Sequence, residues 1–312
     1  MGEFDKTVGV LLIGIFFNTY LYGLVTYQFL VYGNTKFNDP LWIRLIVWTL
    51  FATDTTHSAV AIYAAYDTCV INYGKPESLL VVTWTIPFLA IATAFAALIT
   101  QIFLSHRVYV FTKSKILVGL ICSLGLTAFI FSIYAGTLAM IVKEVTHFDR
   151  LRPSVTMWLS LQVTVDMIIT IILIYVLINS RTGLRRTDTV INRLIRGAVQ
   201  TGLFAAIFAL ADLSTFIRHE GTNFYAMFAY PIGRIYTNTL MDTLNARAEL
   251  RTIMDKTVDL GSDVNAIRMR TFESQGQSST NIHSIQVDVN DSRSDIEGKS
   301  NWSNKDKGTG LV

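Results

Sequence analysis

ILVGLICSLGLTAFIFSIYAGTLAMIV, running from Ile116 to Val142, holds no charged side chain and no proline. A hydrocarbon layer about 30 Å thick is crossed by roughly 20 helical residues at 1.5 Å each, so this run reads as a transmembrane helix. Six more runs of similar character surround it: Val8 to Tyr32, Leu41 to Tyr66, Leu79 to Ser105, Ser154 to Ile178, about Val190 to Ile217, and Asn223 to Thr243. Turn-forming residues separate them, with Asn34, Asp39 and Pro40 after the first, Asn72, Gly74 and Pro76 before the third, and Pro153 opening the fifth. None shows the period-two alternation of barrel strands. Backbone groups in lipid must be satisfied within their own segment, which continuous runs achieve as helices. The expected fold is an all-α membrane protein, a seven-transmembrane-helix bundle spanning residues 1–247.

Composition agrees. Across 312 residues, 51% are hydrophobic and 16% charged, against about 25% charged in soluble domains. The net charge of +3 is dispersed, whereas a nucleic-acid groove needs clustered Lys and Arg with aromatics among them. Zinc-protease, nucleophile-elbow and Walker signatures are missing, so a non-enzymatic role without cofactors is expected. Cys69 and Cys122 fall toward opposite membrane faces and are expected to be free. Every lysine is placed in a loop, a terminus or the tail, which argues against a retinal Schiff base.

Charge asymmetry sets the orientation. With the amino terminus outside, the inner flanks collect twelve positive groups: Lys36, Arg107, Lys113, Lys115, Arg181, Arg185, Arg186, Arg193, Arg196, Arg247, Arg251 and Lys256. Six lie outside: Lys6, Lys75, Lys143, Arg150, Arg152 and Arg218. The positive-inside rule favours this arrangement, with a cytosolic tail. The set Arg181, Arg185, Arg186, Arg193 and Arg196 forms a basic patch on an inner loop, read first as topogenic and lipid-facing charge, and second as a dock for an acidic cytosolic partner.

Ionisable groups inside the bilayer cost roughly 2.5–3.5 kcal/mol each on insertion scales and demand an account. The candidates are Asp54 and His57 in the second run, Asp166 in the fifth, Asp212 in the sixth and Arg234 in the seventh. Asp54, Asp166 and Arg234 fall near mid-depth, Asp212 nearer the outer face and Asp242 nearer the inner one. Arg234, Asn238, Asp242 and Asn245 recur every three or four residues and so share one helical face. Gln162, Asp166 and Thr170 repeat the pattern, as do Asn18, Tyr22 and Thr26. One reading is structural, with Arg234 neutralised by Asp166 or Asp54 and polar groups joining helices. The other is a wet, net acidic seam that takes a cation, a proton or a polar ligand. Pro87 and the Pro231, Gly233 pair are expected to kink their helices, and Trp42, Trp84 and Trp158 to anchor at the interfaces.

SRTGLRRTDTVINRLIRGAVQTGLFAAIFAL (Ser180 to Leu210) and GRIYTNTLMDTLNAR (Gly233 to Arg247) resemble a family of seven-helix integral membrane proteins from mushroom-type fungi, catalogued as a domain of unknown function. LYGLVTYQFLVY, TDTTHS and HRVYVF are similar to the same family, so the resemblance covers residues 8–247. Its closing element is Tyr236, Asn238, Leu244, Asn245, Ala246 and Arg247; Thr237 and Met241 depart from the usual Ser and Leu. The resemblance implies fold and membrane location, and brings no activity or functional residue.

Residues 248–260 read as a short amphipathic helix under the membrane, and 261–312, rich in Ser, Asn and Asp, as a disordered cytosolic tail. The expectation is a multi-pass, receptor-like or sensor protein that binds a small ligand and acts through its basic inner loops and tail. The alternative is a transporter or channel for a cation, proton or small polar solute through the acidic seam.

Overall fold

The structure, a computed structural model, describes residues 5–35, 37–75, 78, 81–143, 149–179, 185–218 and 223–247; of residues 185–201 it describes the backbone and, beyond that, Asn192 and Gly197. Among these residues seven α-helices follow in order. They are α1 (Val10–Asn34), α2 (Leu41–Tyr66), α3 (Thr85–Thr112), α4 (Lys115–Val142), α5 (Arg152–Asn179), α6 (Arg185–Arg218) and α7 (226–247). Short π-helical segments, Asp5–Gly9 and Asp67–Ile71, precede α1 and extend α2. The expected helix over 248–260 and the tail over 261–312 lie outside the described residues.

Five of the helical stretches are long and apolar enough to cross a membrane: Thr7–Asn34, Leu41–Ile71, Thr85–Thr112, Lys115–Val142 and Arg152–Asn179. The other two helices carry the charges, with Arg185, Arg186, Arg193 and Arg196 in α6 and Arg234, Asp242 and Arg247 in α7. Of the basic set, Arg181, Arg185 and Arg186 were expected in the loop before the sixth run, and Arg193 and Arg196 at the start of that run. The backbone is helical from Arg185, so four of the five members belong to the opening turns of α6, although Arg181 and all five side chains lie outside the described residues.

Polar and apolar groups are distributed the reverse of a water-soluble bundle. Phe16, Tyr20, Tyr27, Ile116, Ile141, Ile171 and Tyr175 project outward, while Asn18, Asp54, His57, Gln101, Gln162, Asp166 and Arg234 are buried. An apolar exterior of this extent matches a hydrocarbon surround and would be an aggregation hazard in water. These features make the chain an integral membrane protein.

The centre of the bundle is α3, with 61% of its most apolar window buried, against 22–33% in the other four candidate spans. Around it α7 packs through three successive patches. Ala226 and Tyr230 meet Leu11, Ile15 and Ala61, Ile232 and Tyr236 meet Ala205 and Ala209, and Leu240, Met241 and Leu244 meet Val47, Leu50 and Phe103. A Cβ on Gly14 would lie 2.6 Å from the Ala226 carbonyl oxygen, so the missing side chain lets α1 touch the α7 backbone.

The third helix corrects the sequence reading. It starts at Thr85 rather than Leu79 and continues to Thr112. The Val82 N–H donates to the Lys143 carbonyl at 2.9 Å, pinning the preceding segment to the end of α4. Pro87 therefore occupies the first turn, where its missing N–H has no intrahelical partner to lose. HRVYVF, expected after the helix, forms its last turns and carries Arg107 into the bundle. Lys113 (φ 55) and Lys143 (φ 59) close α3 and α4 in the left-handed region, a helix-ending conformation that usually selects Gly or Asn. Lys115 lies in the first turn of α4, exposed, rather than in a loop.

Candidate functional site

Two buried polar clusters flank α7. In the first, Arg234 Nη1 lies 2.7 Å from Asp54 Oδ1, and both side chains are 0% exposed. Of the two partners the sequence offered, Asp54 is the one in contact. The N–H groups of Arg234 are not aligned on the carboxylate oxygens, so charge rather than directed hydrogen bonding holds the pair. One turn on, His57 Nε2 sits 3.2 Å from Thr93 Oγ1 of α3. A Cβ on Gly233 would stand 3.3 Å from that hydroxyl, so the glycine brings α7 close to α3 here.

The second cluster gathers around Asp166. Tyr236 Oη donates to Oδ2 at 2.6 Å and Gln101 Nε2 to Oδ1 at 2.9 Å. These donors come from α7 and α3, and satisfy a carboxylate that has no base beside it. Gly125 of α4 makes room, since a Cβ there would lie 2.6 Å from Gln101 Oε1.

A cavity of about 120 Å³ opens above this cluster, toward the end of the bundle that carries the amino terminus. Its wall is mostly alanine, leucine and isoleucine, with Pro87 and Gly136, and its polar lining includes Asp212, Trp158, Gln162, Tyr225, Tyr230 and Tyr236. Trp158, expected as an interfacial anchor, is 8% exposed and faces inward. Trp42 and Trp84 do lie at the surface. On the far side of Asp166 is a smaller cavity of about 30 Å³, lined by Arg107, Gln101, Asp166, Thr170 and Thr239, with Tyr236 in common. Among the described residues no group of three His, Cys, Asp or Glu side chains is placed to hold a metal ion.

A family of unknown function, DUF6534, matches residues 162–249. The match takes in most of α5, all of α6 and α7, and therefore Gln162, Asp166, Asp212, Arg234 and Tyr236. The helix 1, TDTTHS and HRVYVF segments lie outside it. No curated protein and no solved structure matches the chain.

The expected seam on α7 does not close as one unit. Arg234 is buried, but Asn238 Nδ2 turns back to the Arg234 carbonyl at 2.9 Å. Asp242 lies on the exposed side of the helix, its carboxylate beside Gly197 of α6. Asn245 Nδ2 instead reaches the Gln28 carbonyl of α1 at 3.0 Å. At the same end Arg247 makes a two-pronged contact with Asp39, at 2.7 and 2.9 Å. Asp39 also accepts from Tyr32 Oη at 2.8 Å, and the guanidinium lies over the Phe37 ring. This clamp and the roles of Gln101 and Trp158 were not singled out from the sequence. The visible signal for Gln101 was one amide within the apolar run of α3.

Proposed function

We propose that the chain spans the membrane seven times with its amino terminus outside, and works as a non-enzymatic, receptor-like sensor. The observation that supports this is the 120 Å³ cavity, which would face outward in that orientation and rests on Tyr236 of α7. A ligand seated there bears on the hydrogen bond between Tyr236 and Asp166, and so on the helix that leads to the cytosolic chain. The basic opening of α6 and the tail would then serve as the docking elements for a cytosolic partner.

Transport of a cation, proton or small solute is the second reading. It draws on the smaller cavity below Asp166, which shares Tyr236 with the larger one. Against it stands Arg234, whose charge is spent on Asp54 in a fully buried pair.

Flux decides between them. Proteoliposomes holding only this protein should carry no solute across a panel of ions and small molecules, while deletion of the tail or neutralisation of Arg185 and Arg186 should abolish a downstream response in cells. Flux that disappears in Asp166→Asn would establish the transporter instead.

A further inference from the structure

Among the described residues three carboxylates are buried in the bundle, and two have partners. Asp54 has Arg234, and Asp166 has Tyr236 and Gln101. Asp212 is different. It is 5% exposed and lines the larger cavity, where no Lys, Arg or His side chain joins it among the described residues. Thr215 donates to its backbone carbonyl at 3.0 Å rather than to its side chain, and no hydrogen bond to its carboxylate is found among the described residues. An ionised carboxylate in an apolar surround is costly unless a counter-charge reaches it.

An unspent donor lies in the same cavity. Trp158 Nε1 on α5 makes no aligned hydrogen bond, and the residue is more than nine-tenths buried, whereas Gln162, one turn on, is turned to Asp166 and Tyr236. The rest of the wall is largely apolar. A closed cavity of about 150 Å³ lined by aliphatic and aromatic groups accepts a benzene ring, so this one, at about 120 Å³, holds no more than a single ring, with any polar arm lying along its open end.

We infer that the cavity binds a small monocationic amine whose ammonium pairs with Asp212, whose apolar ring fills the alanine-lined space, and whose oxygen accepts from Trp158. This rests on the receptor reading and names the chemistry of its ligand. A neutral molecule of the same shape leaves the carboxylate unpaired, and a metal ion or bare proton leaves the apolar wall and the Trp158 N–H unused.

The test is equilibrium binding to the full chain in lipid nanodiscs with three probes: tyramine, tyrosol (the ammonium replaced by a hydroxyl) and phenethylamine (the phenol oxygen removed). Tyramine should saturate the protein and bind about tenfold or more tighter than tyrosol, the scale of one charge-assisted hydrogen bond. Asp212→Asn should erase that difference and Asp212→Glu keep it, while Trp158→Phe should weaken tyramine and leave phenethylamine unchanged. Equal affinity for tyramine and tyrosol, or no saturable amine binding, overturns the inference, and this comparison uses the unaltered protein and so does not depend on any variant folding. Flux separates the two levels. Tyramine bound and carried across proteoliposomes keeps the amine site and removes the receptor reading; charge-blind binding without flux removes the amine and leaves the receptor.

Discussion

Arg234 and Tyr236 stand two residues apart on α7 and point to opposite sides of it, because 100° per residue puts about 200° between them. Arg234 meets Asp54 of α2 at 2.7 Å, and Tyr236 meets Asp166 of α5 at 2.6 Å. The last helix is thereby wedged between two acids, one held by charge and one by neutral donors. This difference in chemistry governs how each side responds to substitution.

Removing the charge on Arg234 strands a buried carboxylate. Arg234→Met should destabilise the protein by about 3–5 kcal/mol, the cost of breaking a buried pair from one side. Thermal unfolding in nanodiscs should show the double variant Arg234→Met with Asp54→Leu recovering much of that loss. A double variant as unstable as the single one would mean that the two side chains are not energetically coupled.

Tyr236→Phe keeps the ring and its packing but removes the shortest of the hydrogen bonds to Asp166. The expected loss is about 1–3 kcal/mol, the range for an unsatisfied buried acceptor. Gln101→Leu should cost a similar amount, and the two together less than their sum if the donors act on one carboxylate. Unfolding midpoints of the four proteins measure this directly.

Glycines offer a sharper contrast. Gly14→Ala places a Cβ 2.6 Å from the Ala226 carbonyl oxygen and 3.0 Å from Met227 Cα; both are backbone, so the helices must separate, at about 1–3 kcal/mol. Gly23→Ala on the same helix meets nothing within 4 Å and should be neutral or slightly stabilising through helix propensity. Equal behaviour of the two variants in detergent melts would show that the α1 to α7 approach contributes nothing.

Arg247 is half in solvent, so its clamp is a different case. Arg247→Lys keeps the charge but loses the planar fork on Asp39 and the stacking over Phe37. Global stability should fall by no more than about 1 kcal/mol, and less at high salt. Hydrogen exchange of residues 37–39 should rise more clearly, since Asp39 holds that turn through Tyr32 and Arg247.

Helix number and the inward face of Asp54 and His57 could be read from the chain because apolar length and three-residue spacing are local properties. The choice between Asp54 and Asp166 as the partner of Arg234 could not, since both lie at similar depth and helix order around the bundle is not written in any one run. Asp166 was harder still, because its true donors, Tyr236 and Gln101, carry no charge to announce them. An early end for α3, at Ser105, left Arg107 outside, and an early start misplaced Pro87. That start is set by the contact of Val82 with Lys143, two segments apart. Trp158 looked interfacial from its position near a helix end, but the direction of a side chain around the helix depends on what packs beside it. The cavity draws its wall from six helices and has no pattern in any of them.

The pairing of Asp54 with Arg234 also bears on how the chain is made. A ribosome delivers α2 to the bilayer long before α7 exists, so Asp54 must wait through the synthesis of four further helices without its counter-charge. During that interval the nascent protein holds an acid that lipid disfavours, and only the arrival of the last helix relieves it. Completion of the bundle thus doubles as a quality check, and chains that stop short of Arg234 are expected to be retained and degraded.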